Sequence, residues 1–315
     1  MFVDENLVLI KVNFTNELLA FDSSKKVMES NKNSTIQKFI HHPITRMIAI
    51  PAFILLTIVV IKELITKPVF MAILPSEVMA KMVVSLLSTF IMIGAYYLAL
   101  KYYDKRPFTE FQLKYALKEL IVGFAIGFMI ISGELIVLYF LGFYEITGIN
   151  NWVPFLASSM IIMGGVMLEE IVFRGVILHT IEKWKGTTIA LIASSIIFQL
   201  PHFMNPNEGF LPAVLGMLFG AATGLLYLHT RRIWLPFAFH LGWNLAQPFF
   251  GTTLSGIGGF DILFTANMEG PELLTGSAFG IEDSLLSMLC LVIMIIIYCR
   301  SVVKSGLWVR RVRQH

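Results

Sequence analysis

Apolar residues fall along this chain in long unbroken runs, at about residues 44–61, 78–100, 119–141, 152–179, 187–203, 210–229, 233–250 and 284–303. About 20 apolar residues span the hydrocarbon core of a bilayer. In lipid the backbone must satisfy its own hydrogen bonds, which leaves helices or closed barrels. Runs of this length without alternation favour helices. The pattern therefore predicts an all-α, polytopic transmembrane bundle of about eight spans. The fifth and seventh runs are short or interrupted, by Pro201 and Pro236. Residues 1–43 are mixed and polar, and are expected to form a cytosolic arm. Residues 44–303 read as the membrane domain, and 304–315 as a basic cytosolic tail. No internal repeat or low-complexity segment interrupts the pattern.

Composition sharpens this picture. The 315 residues are 56% apolar and only 14% charged, with a mean hydropathy of +0.75. Soluble domains carry roughly a quarter of their residues as charges, so lipid is the expected partner of most of this surface. The net charge of +3 is a weak bias that gives no ground for a nucleic-acid partner. The placement of basic residues says more. With the N-terminus inside, nearly all Lys and Arg fall on cytosolic segments, and only Lys62, Lys67 and Lys81 lie outside. That alternation follows the positive-inside rule and predicts cytosolic N- and C-termini on an integral protein of the cell (plasma) membrane. Cys290 and Cys299 lie nine positions apart in one run, roughly 13 Å along a helix, too far to pair with each other. Acidic residues from Asp4 onward and the lack of an apolar core argue against a cleaved signal peptide at the N-terminus.

Most runs are bland, so polar residues inside them stand out. A charge at the bilayer centre costs at least about 2.5–3.5 kcal/mol and faces the bundle interior with a partner. The fourth run, IIMGGVMLEEIVFRGVIL, carries Glu169, Glu170 and Arg174. Glu170 and Arg174, at i and i+4, share a helix face and can pair. Glu169 is turned about 140° from Arg174 and is left for another partner. His202 follows Pro201 at the end of the fifth run, and His240 and Asn244 stand at i, i+4 on the seventh. Counted at about 1.5 Å per residue from the basic ends, all four groups reach the middle of the bilayer. A Glu–His pair there can activate a water as general base. A second His with an Asn amide can donate to an oxyanion. These are the parts of a peptide-bond hydrolase that needs no Ser or Cys nucleophile. The remaining histidines (His41, His42, His179, His229 and His315) read as interfacial or solvated. The Gly-rich, acidic stretch 251–283 reads as a solvated connection, with a substrate lid as the lesser alternative.

EEIVFRG at Glu169–Gly175 fits an EExxxR motif, Phe198 with His202 fits FxxxH, and His240 with Asn244 fits HxxxN. In this order on successive membrane segments, over about residues 150–250, they resemble the CAAX prenyl protease and bacteriocin-processing (Abi) family. The resemblance implies an intramembrane glutamate-type endopeptidase without a cofactor, acting on a membrane-associated peptide or protein. Glu169 with His202 would activate water, His240 with Asn244 would hold the oxyanion, and Glu170 with Arg174 would support the site. A prenylated tail or a bacteriocin-like peptide is the substrate class it suggests. Three rival readings stay open. Glu169, His202 and His240 are valid zinc ligands, although HExxH is absent and a metal-free site is favoured. A non-catalytic immunity factor or scaffold of the same fold would need no oxyanion group. A transporter would show broken spans in matching halves, and no such pairing is seen.

Overall fold

The computed structural model describes residues 37–310. The chain divides into two units at Ile48/Ala49. Most of the expected N-terminal arm, residues 1–36, lies outside the described residues, as does the end of the basic tail, 311–315.

All eight apolar runs form helices. They are α1 (Pro43–Ile73), α2 (Glu77–Asp104), α3 (Leu113–Phe140), α4 (residues 152–185), α5 (Thr187–Met204), α6 (Phe210–Thr230), α7 (Trp234–Phe249) and α8 (Leu285–Lys304). Among the described residues six are long and apolar enough to cross a membrane. Outside this set stand α4, which carries the buried charges, and α7, whose 16 residues reach only about 24 Å. The two helices that bear most of the motif residues are thus the two that least resemble plain lipid-facing spans.

Local chemistry sets the helix starts. Ser76, Asn151 and Ser284 each accept a backbone N–H of the first turn, from Met79, Val153 and Ser287 respectively, as N-caps do. Pro236 sits in the first turn of α7, where its missing N–H costs little. Arg231 ends α6 in the left-handed region, with φ 58°.

The interior is built around the contact of α3 with α7, the most extensive between any two helices. A Cβ at Gly123 or Gly127 of α3 would collide with the backbone of Leu235 or Phe239, and one at Gly242 of α7 with the backbone of Phe124. Small residues at this spacing let two membrane helices approach backbone to backbone. Trp243, Phe239, Arg174, Tyr96 and Tyr227 are among the largest fully buried side chains.

One end of the bundle is tied by ion pairs: Arg231 with Glu182, Arg232 with Glu119, and Arg106 with Glu110. These arginines belong to the set expected on the cytosolic side. The beginning of the expected tail is docked there as well, for Thr187 N–H donates to Val309 O at 2.9 Å and Arg231 donates to Leu307 O at 2.7 Å.

The other end differs from the sequence reading. Two strands, β1 (Tyr144–Ile149) and β2 (Phe264–Met268), pair antiparallel with a bulge between Ile146 and Gly148. Parts of the stretch 251–283 are tied to the bundle rather than solvated. Asp261 is held by Ser158 at 2.9 Å, and Asn150 donates to Ile262 O at 3.2 Å. Glu282, only 4% exposed, accepts from Trp243 Nε1, Gln247 Nε2, Ser255 N–H and Ser255 Oγ at 2.7–3.0 Å. A buried carboxylate with four donors fixes the loop over the bundle. Two histidines read as solvated also have partners, His179 with the Tyr227 hydroxyl and His229 with Ser301.

Candidate active site

Glu169 closes the α-helical part of α4, Trp152–Glu169, and Glu170 opens a nine-residue π-helix, Glu170–Leu178. Such i→i+5 stretches are rare and recur at functional sites. A cause is visible beside Gly175. Its carbonyl accepts from the Tyr96 hydroxyl at 3.1 Å and from Arg106 Nη2 at 3.3 Å, and a Cβ at Gly175 would press on the Tyr96 ring and hydroxyl. Groups inserted from outside the helix displace the ordinary ladder.

Within this segment the expected pair forms, with Arg174 Nη1 3.1 Å from Glu170 Oε1 and both side chains almost fully buried. Arg174 also donates to the Thr223 hydroxyl of α6, and its guanidinium lies 4.4 Å from the centre of the Phe198 ring. The cation is thus held by a carboxylate, a hydroxyl and an aromatic face.

Glu170 has a second partner that helix geometry did not reveal. The same Oε1 lies 2.8 Å from His240 Nδ1. On its other side His240 turns Nε2 toward Glu169 Oε2, at 3.8 Å. That separation is beyond a direct hydrogen bond. Glu169 Oε2 is buried and has no hydrogen-bond partner. His240, 3% exposed, therefore stands between the two adjacent carboxylates, its ring packed on Phe219 at 4.7 Å.

His202 lies on the 3-10 turn Leu200–Met204, which Pro201 opens. The turn brings His202 Nδ1 to 3.0 Å from Phe198 O. A carbonyl only accepts, so Nδ1 is the donor and the lone pair of Nε2 is left for the cavity. Phe198 thus has two tasks, a ring against Arg174 and a carbonyl that sets the His202 tautomer. Nearby Glu208, in the loop after this turn, accepts from Gln199 at 3.1 Å. Burial raises its carboxyl above the usual range, while the Gly209 backbone N–H and His202 pull it down.

Glu169, His202, His240 and Asn244 all line one cavity of about 270 Å³, roofed by Leu254, Ser255 and Phe260 of the 251–283 loop. Glu170 and Arg174 stand behind it. The structure brings Glu169 nearest to His240, and to His202 as walls of the same space. Among the described residues no three His, Cys, Asp or Glu side chains are grouped as metal ligands. Sequence reasoning missed Thr223 and Glu282, although each is a polar residue in or beside an apolar run, and missed the cavity roof.

No curated protein and no solved structure matches the chain. Residues 150–246 match the family model described as Rce1-like, type II CAAX prenyl endopeptidase. The matched stretch holds EEIVFRG, Phe198 with His202, and His240 with Asn244, so this part of the chain is similar to the CAAX protease family that its motifs resemble.

Proposed function

We propose that the chain is an intramembrane endopeptidase of the CAAX protease type that hydrolyses a peptide bond in a membrane-associated peptide without a metal. A water in the cavity gives one hydrogen bond to Glu169 and one to His202 Nε2, which leaves an oxygen lone pair for the scissile carbonyl carbon. As the new C–O bond forms, Glu169 takes the water proton and the carbonyl π pair becomes an oxyanion. The Asn244 amide and His240 Nε2–H donate to it. Collapse of the tetrahedral intermediate breaks the C–N bond, and the leaving nitrogen takes the proton from Glu169.

Glu170 acts on this sequence through His240. Because Nδ1–H is directed at Glu170, Nε2 can donate to an oxyanion only when the ring carries both protons. The Glu170 carboxylate accepts from Nδ1–H and so orients the ring, and Arg174 holds Glu170 in place. Glu170 is thus a positioning residue for the reaction as well as the partner of a buried arginine.

The observation that carries the reading is the convergence of four motif side chains from three helices on one cavity, with Glu169 Oε2 buried there and unpartnered. The test uses purified protein in phosphatidylcholine vesicles with a mixed set of membrane-inserting peptides in ¹⁸O-labelled water. Wild type should release products carrying one ¹⁸O in each new carboxyl group. Glu169→Gln should release none while keeping the wild-type melting temperature. Equal product from both proteins would remove Glu169 from the chemistry.

A further inference from the structure

A second cavity, about 410 Å³, lies between α1, α2 and α4 and shares Ile161 and Gly165 with the site cavity. Along α4, Ile161, Gly165 and Glu169 stand at i, i+4 and i+8, on one helix face. The two cavities therefore adjoin along the face of α4 that carries the carboxylate of the site. Gly165 marks the passage, since a Cβ built there meets nothing within 4 Å. Unlike Gly123 or Gly127, this glycine is not required by a close helix approach. It leaves open space where the two cavities meet.

The chemistry of the groove is uneven along its length. Its wall is apolar apart from two serines of α2 and three lysines, Lys62, Lys67 and Lys81. These are the three lysines that the charge pattern sets apart from all other basic residues. Lys62 and Lys67 pair with Glu63 at 3.7 and 2.9 Å, and Lys81 pairs with Glu77 at 2.9 Å; neither glutamate lines the groove, and this end keeps one net positive charge. On α2 the lining runs from Lys81 to Met92, about 16 Å at 1.5 Å per residue. That length accommodates roughly five residues of extended chain.

We infer that this groove docks the apolar segment of the peptide substrate in extended form, with an acidic group of the substrate at the lysine end and the scissile bond delivered past Gly165 to Glu169. The inference rests on the peptidase reading and adds a substrate class to it, an apolar stretch with an acidic flank. Electrostatic complementarity of this kind selects partners and fixes their register. The open glycine lets the chain cross from one cavity into the other.

The test uses the full chain in phosphatidylcholine nanodiscs and a fluorescent leucine/alanine peptide ending either in two aspartates or in two lysines. Wild type should bind the aspartate form about tenfold more tightly, the scale of a few half-exposed charge contacts acting together. The combined Lys62→Gln, Lys67→Gln, Lys81→Gln variant should bind both forms equally. Gly165→Leu should keep the melting temperature but, at saturating peptide, cleave at least tenfold more slowly. Equal binding of the two peptides by wild type, or an undiminished preference in the lysine variant, overturns the groove assignment alone. So does loss of peptide binding when phosphatidylglycerol is added to the disc, which would give the groove to a lipid. Selective binding without cleavage by wild type overturns the peptidase reading, and the substrate role with it.

Discussion

Replacing Glu170 by glutamine keeps the shape of the side chain and removes the charge from a carboxylate that is fully buried. Its Oε1 lies 3.1 Å from Arg174 Nη1 and 2.8 Å from His240 Nδ1. At an effective dielectric of about 20, the pair with Arg174 at this separation interacts by roughly 5 kcal/mol. Desolvation of the buried ions offsets part of this, and breaking such a pair typically costs about 3–5 kcal/mol. The melting temperature of Glu170→Gln should therefore fall on the order of 10 °C. Turnover per folded molecule should fall as well, because the variant weakens the acceptor that orients His240 through Nδ1. Losing the carboxylate behind a catalytic histidine costs on the order of 10²–10⁴ in rate in other hydrolases. Thr223→Val is the control. It removes the hydroxyl under Arg174 and should cost about 1–3 kcal/mol of stability, yet leave turnover per folded molecule unchanged. Both quantities are read from differential scanning fluorimetry and peptide cleavage on the same samples, normalised to the folded fraction. A Glu170→Gln protein that is less stable but turns over at the wild-type rate per folded molecule would refute the argument and return Glu170 to a purely structural role.

Other outcomes follow from the same geometry. Protein stripped with a strong chelator should keep its peptidase activity, and loss restored only by Zn²⁺ would favour a metal mechanism. Glu282→Ala removes four hydrogen bonds to a buried carboxylate and should cost about 3 kcal/mol. Limited proteolysis near Ser255 should accelerate accordingly, and an unchanged cleavage pattern would show that the loop is held by something else. A reporter fused after His315 should be protected from external protease and one inserted near Gly258 should be accessible; the reverse at either position would contradict the orientation drawn from the basic residues.

The helices were legible because lipid imposes one pattern, a long apolar run, on nearly any spanning segment. The motif residues were legible for the converse reason, since Glu169, Glu170, Arg174, His202, His240 and Asn244 are polar groups where hydrocarbon would otherwise face them. What stayed hidden depends on contacts far apart in sequence. The π-helix at Glu170–Leu178 is stabilised by Tyr96 and Arg106 of earlier segments, and no local spacing announces it. The hold of Glu170 on His240 crosses 70 residues, so α-helical angles could assign Glu170 to Arg174 but not to the histidine. The 251–283 stretch looked solvated because its Gly and acidic residues are ordinary loop composition. Only the fold shows that Glu282 is buried beneath Trp243 and Gln247. The close approach at Gly123 and Gly127 was not read from the sequence either, since it is met by Gly242 on a helix that spacing alone does not bring near.

The seam between Glu169 and Glu170 is also a mechanical boundary. Glu169 is the last residue of an α-helical rod that starts at Trp152, and Glu170 is the first of a coil with a different hydrogen-bond repeat. Helices bend and swivel most readily where that repeat changes. Beyond the seam, the coil is pinned through the Gly175 carbonyl to Tyr96 and Arg106. Before it, the rod carries both the wall of the lysine groove and the carboxylate facing His240. A chain seated in that groove would therefore press on the rod that ends at Glu169, while Glu170 and its histidine belong to the pinned part beyond the seam. Two neighbouring residues with the same side chain thus belong to mechanically different parts of one helix.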